Sequence, residues 1–99
     1  MWYVMTGKDA AGALEIRRRV RPEHLARAKL LADSGRMLVA GPCPAIDSPE
    51  PGPAGFSGSV IIAEFASLDD ARTWLGADPY VTEGVFESWN VQPFIQVLP

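Results

Sequence analysis

Histidine and cysteine each occur once in the 99 residues, as His24 and Cys43. One cysteine excludes an intrachain disulfide, and one of each excludes a cysteine–histidine zinc cluster. There is no excess of positive charge: the net charge is −3, so nothing draws the whole chain to nucleic acid or to an anionic membrane. No apolar run approaches the length of a membrane span. The first residues, Met1 to Thr6, carry no basic segment ahead of their apolar run, so they do not read as a secretory signal. The expectation is a soluble cytoplasmic protein. Glycine-rich phosphate loops, metal-ligand spacings and Ser-His-Asp nucleophile motifs are also missing, so no cofactor and no metal are expected.

What is present is ordinary globular material, 47% hydrophobic and 21% charged, with three Trp, four Phe and two Tyr. The length fits one domain, residues 1–99. Such a domain has a modest core, for which oligomerisation is a natural supplement.

Trp2 to Thr6 reads as a strand, apolar at consecutive positions, as if both its faces were covered. Gly7 to Gly12 reads as a loop. Leu14 to Val20 could form a turn or two of helix before a break at Arg21, since Pro22 disfavours helical backbone in the residue before it. Pro22 to Ser34 reads as a helix, with Pro22 in its first turn, Leu25, Ala28, Leu31 and Ala32 on one face, and Gly35 suited to the cap. Arg36 to Ala40 is a second strand. Gly41 to Gly58 holds five prolines and reads as one long loop packed onto the body through Ile46 and Phe56. Ser59 to Phe65 is the third strand. Ser67 and Asp70 form a capping box for a second helix, whose apolar face is Leu68, Ala71, Trp74 and Leu75. Val85 to Val97 is the last strand, at an edge or bulged where Pro93 interrupts it.

The order β-α-β-β-α-β implies an α+β fold: the ferredoxin-like arrangement, a four-stranded antiparallel sheet with both helices on one face. The other face, apolar on its central strands, needs a cover. A second copy of the chain is the simplest one, so a homodimer packed sheet to sheet is expected.

His24 lies at about 260° on a helical wheel with Leu25 at zero, beside Leu31 and Ala28, so it points toward the sheet. A histidine there is either a satisfied core residue or a catalyst. Asp33, at about 80°, cannot reach it. Asp78, in Ala-Asp-Pro-Tyr beside Tyr80, is either an Asx-turn at a helix end or a partner that the two-helix layout brings to His24. Arg17, Arg18, Arg19 and Arg21 make a local basic patch. It would serve an anionic group, or else form a solvated face paired to Glu15 or Glu23. Ser59, where the long loop re-enters the sheet, could orient a ligand or merely start a strand.

Together these blocks carry a resemblance. Arg17-x-x-x-Arg21-Pro22-x-His24-Leu25, Gly35-Arg36-x-Leu38-x-Ala40-Gly41-Pro42, Gly58-Ser59, Ala77-Asp78-Pro79-Tyr80 with Gly84, and Pro93-Phe94 look like the YciI family of YCII-related domains, over essentially the whole chain. The resemblance implies a dimer of the α+β barrel type and a site centred on a histidine and an aspartate, here His24 and Asp78. It further implies elimination or lyase-type chemistry on a small molecule. On that reading His24 is the general acid/base, supported by Asp78. Arg17 or Arg21 holds an anionic substrate group. Ser59, backbone amides near Gly41, and Tyr80 complete the pocket, partly covered by the proline-rich loop. The alternatives are a non-catalytic dimer that binds or senses a metabolite, and a purely structural dimer.

Overall fold

The computed structural model describes all 99 residues. The chain runs β1 (Trp2–Asp9), α1 (Leu14–Asp33), β2 (Met37–Pro44), a short 3-10 turn (Gly52–Ala54), β3 (Phe56–Glu64), α2 (Leu68–Gly76), α3 (Pro79–Thr82) and β4 (Phe86–Phe94). The four strands form one antiparallel sheet in the order β2-β3-β1-β4, as a ferredoxin-like fold requires. Tyr3, Met5, Ile61, Ala63 and Val91 of the sheet join Val20, Leu31, Ala71 and Leu75 of the helices in the core. No helix is long and apolar enough to cross a membrane.

Several elements depart from the expected boundaries. Pro22 does not break the first helix; α1 runs unbroken for 20 residues through it. Pro22 is exposed, so the carbonyl left without a backbone donor can be served by water. The buried stripe of Arg17, Val20, His24, Ala28 and Leu31 holds the helix together on the other side. That stripe centres on His24 rather than on Leu25, which is exposed together with Ala32.

The long loop is shorter than expected. Pro42 and Pro44 lie inside β2, where they are tolerated because β2 is an edge strand. Only residues 45–55 connect β2 to β3, and β3 begins at Phe56. Residues 7–9 belong to β1 rather than to a loop. The last strand stops at Phe94, on the edge where Pro93 can be accommodated. A one-turn helix, α3, adds to the expected order of elements.

The face of the sheet away from the helices is uncovered in a single chain. Val4 pairs with Ile62, Thr6 with Val60 and Ile62 with Val39, which puts all of them on that side. Val4, Val60 and Ile62 are half-buried and Val39 is exposed.

Candidate active site

The site begins with a turn. Asp78 leaves helical backbone ahead of Pro79 and caps α3, its Oδ1 accepting the Tyr80 N–H at 2.9 Å. This Asx-turn aims the same carboxylate at α1. His24 Nδ1 lies 2.9 Å from Oδ1 and 3.0 Å from Oδ2, across 54 residues of sequence. Arg27 Nη1 donates to Oδ2 at 2.9 Å. The two readings of Asp78 that the sequence left open are therefore both fulfilled by one side chain.

Asp78 is fully buried, which alone would push its carboxyl up. The hydrogen bonds from His24 and the Tyr80 N–H, with the positive charges of His24 and Arg27, outweigh burial and hold it below the usual carboxylate value. An ionised carboxylate only accepts, so Nδ1 of His24 carries the hydrogen. In the neutral ring the lone pair then sits on Nε2. No side chain bonds Nε2, yet no buried polar side-chain atom lacks a partner, so Nε2 is open to solvent. His24 lines a cavity of about 160 Å³.

The Tyr80 ring lies flat on the imidazole, centroids 3.9 Å apart and planes within 9°. Phe86 meets Tyr80 edge-on at 5.6 Å. Phe86 fits there because residue 7 is glycine: a Cβ on Gly7 would lie 2.3 Å from the Phe86 ring. Burial raises the Tyr80 hydroxyl pKa against the opposing pull of Arg17 and Arg21, so Tyr80 stays a neutral phenol.

Arg17 is buried, and its Nε and Nη2 grip Asp9 at 2.8 and 2.7 Å. Nη2 also donates to the Gly58 carbonyl at 3.2 Å and to Ser59 Oγ at 3.0 Å. The guanidinium lies 4.7 Å from the Tyr80 centroid and 5.1 Å from that of Phe56. Ser59 Oγ accepts from Arg17, which leaves its own hydrogen free for the cavity that Ser59 lines.

The cavity gathers Arg17, Arg21, His24, Gly41, Ser59 and Tyr80, with Leu25, Ala28, Ala40, Pro42 and Ile61 as the rest of its wall. Asp78 stands behind His24 rather than in the wall. Of the three nearby arginines, Arg17 has Asp9 and Arg27 has Asp78, but Arg21 has no carboxylate within 4.0 Å. With a neutral imidazole the site therefore carries one uncompensated positive charge.

Two site residues carry no recognisable signal in the sequence. Asp9, the partner of Arg17, lay in what reads as a loop. Arg27 gave no signal beyond its place one turn after His24. The proline-rich connection does not cover the cavity. Its return, Pro53 to Phe56, packs beside residues 9–14, and the near wall is β2 instead. No three His, Cys, Asp or Glu side chains converge on a metal-sized site.

Comparison with known proteins places this architecture. Residues 1–95 match the YCII-related domain. The chain belongs to that family. It is 57% identical to Protein YciI of Escherichia coli over 97 residues, which cover 98% of this chain and 99% of the relative. An uncharacterised Haemophilus influenzae member is 47% identical over the same length and coverage. Among solved structures, the family fold recurs in a 5-chloro-2-hydroxyhydroquinone dehydrochlorinase from Burkholderia phenoliruptrix, solved with 2,5-dihydroxybenzoquinone. It matches at a TM-score of 0.83 and 25% identity, over 96% of this chain and 94% of that one.

Proposed function

We propose that this YCII-family protein is a small-molecule enzyme of the lyase type, with His24 as its general base. The observation that carries the reading is the two-sided setting of one imidazole. Nδ1–H is tied to a buried, ionised Asp78, while Nε2 is unbonded on a ring that lines a cavity whose unpaired cation is Arg21. A substrate held by its anionic group at Arg21, with the Ser59 hydroxyl donating to a substrate oxygen, presents a C–H or O–H to Nε2. The proton passes to Nε2, and the electron pair it leaves behind forms the new double bond. The leaving group departs with the electrons of its own bond, and the imidazolium that results is stabilised by Asp78. Tyr80 holds the ring plane fixed. The similar dehydrochlorinase supports an elimination, by the reaction its name states.

We assign the anion to Arg21 rather than Arg17, because the charge of Arg17 is already balanced by the Asp9 carboxylate it grips, whereas Arg21 has no carboxylate partner. The open sheet face fits a second copy of the chain, packed sheet to sheet with Val4, Val39, Val60 and Ile62 at the contact. A monomeric mass by light scattering at micromolar concentration counts against the dimer.

The test is turnover of halogenated hydroquinones and of small carboxylic acids bearing a leaving group, followed by release of that group. His24→Gln should abolish turnover in a protein that still melts cooperatively; unchanged turnover refutes the role of His24. The uncompensated Arg21 also favours a second reading, a non-catalytic dimer that binds or senses an anionic metabolite. Calorimetric binding of an anion that survives His24→Gln, with no product formed from it, decides for that reading.

A further inference from the structure

Arg27 takes no part in the scheme above, yet it is one of the most restrained arginines in the protein. It follows His24 by three residues on α1, so the two side chains are neighbours on the helix surface. Nη1 donates to Asp78 Oδ2 at 2.9 Å, and Nη2 donates to the Trp74 carbonyl of α2 at 2.8 Å. Its guanidinium lies 4.5 Å from the centroid of the Trp74 ring. Its side chain is only 25% exposed. Two elements thus fix the guanidinium against the carboxylate, outside the cavity wall.

A carboxylate that serves a histidine alone lends its whole negative charge to the imidazolium. Here that charge is shared. The charged and titratable groups facing His24 are Arg17, Arg21 and Arg27 on its own helix, and Asp78 and Tyr80 on α3; from β3 comes only the neutral Ser59. Arg17 is balanced by Asp9 of β1, Arg27 balances Asp78, Tyr80 is a neutral phenol, and Arg21 is left over. The fixed charges around the ring therefore sum to one positive charge.

We infer that Arg27 is a positioning residue: by pinning Asp78 and offsetting its charge, it holds His24 as the neutral Nδ1–H tautomer, ready to act as a base. Removing the guanidinium leaves Asp78 to act on His24 alone, and the ring then keeps its second proton to higher pH. The inference rests on the role given to His24 above, but its test needs no substrate.

His24 is the only histidine, so its imidazole signals in nitrogen–proton correlation spectra are unambiguous. In the wild-type protein the neutral ring should show the Nδ1–H tautomer. In Arg27→Gln the midpoint of the His24 titration should move up by about 0.5–1 pH unit relative to wild type. Arg27→Met, which keeps aliphatic packing against Trp74, should move it the same way. Arg27→Lys, which keeps the charge, should stay within about 0.3 unit of wild type. A residue that merely braces the fold would lower the melting temperature of all three variants and leave the midpoint alone. A midpoint that stays put or falls in the neutral variants overturns the inference, as does a Lys variant that shifts as far as Gln. If the shift appears while no substrate is ever turned over, the inference about Arg27 stands and the enzymatic reading falls.

Discussion

Asp78→Ala is the sharpest perturbation of the site. It removes the acceptor of three donors at once: His24 Nδ1–H, Arg27 Nη1–H and the Tyr80 N–H. Hydrogen bonds to a charged group contribute roughly 1.5–3 kcal/mol each. Arg27 is partly exposed and regains water, so its share is small. His24 and the Tyr80 N–H lie in the interior, where a lost partner is not replaced. Breaking a buried charged pair in this way costs about 3–5 kcal/mol. In a domain of this size each kcal/mol lowers the melting temperature by about 4–8 °C, so a fall of at least about 12 °C is expected. Asp78→Asn keeps the shape and one acceptor for the Tyr80 N–H, and should cost about half as much. Both are read by calorimetry and urea unfolding at matched protomer concentration, because self-association would add its own stabilisation. The acid limb gives an independent check. The folded carboxyl titrates below the usual carboxylate value, so the unfolded chain binds more protons between the two and stability rises with pH there. The contribution of Asp78 is complete above the unfolded value and is lost as pH falls through the folded one. Asp78→Asn should flatten that part of the curve. A loss below about 1 kcal/mol for Ala, or an unchanged acid limb for Asn, refutes this account of the carboxylate.

Other expectations are more local. Gly58→Ala puts a Cβ 2.1 Å from the Gly7 carbonyl oxygen, between two central strands that cannot part, and should cost upwards of about 3 kcal/mol by urea unfolding. Gly7→Ala displaces Phe86 and through it Tyr80, so His24 imidazole signals should shift even in a protein that remains folded. Arg21→Gln should weaken binding of a small carboxylate or phosphate at least about tenfold, with the melting temperature almost unchanged, because Arg21 has no internal partner to lose. Ile62→Asp on the open face should yield monomers in light scattering, while the chain keeps its far-ultraviolet spectrum.

The sequence alone determines the order of the four strands and the two longer helices, and that His24, Ala28 and Leu31 of the first helix turn inward. The apolar face of the second helix, the Ser67 cap that accepts the Asp70 N–H, and the edge-seeking Pro93 are local signals, and each is expressed where it is read. The His24–Asp78 pair was legible from the family resemblance, while the residues by themselves left Asp78 open between an Asx-turn and a partner for His24. The tertiary structure decided three things. It carried α1 through Pro22, because packing on one side of a helix outweighs a backbone bond lost to water on the other. It admitted Pro42 and Pro44 into β2, because an edge strand has one row of backbone groups that needs no partner. And it divided the arginines. Which of Arg17, Arg21 and Arg27 is spent on a carboxylate depends on where Asp9 and Asp78 arrive after folding, and no local pattern records that. The free cation at Arg21 and the restrained one at Arg27 are properties of the assembled fold.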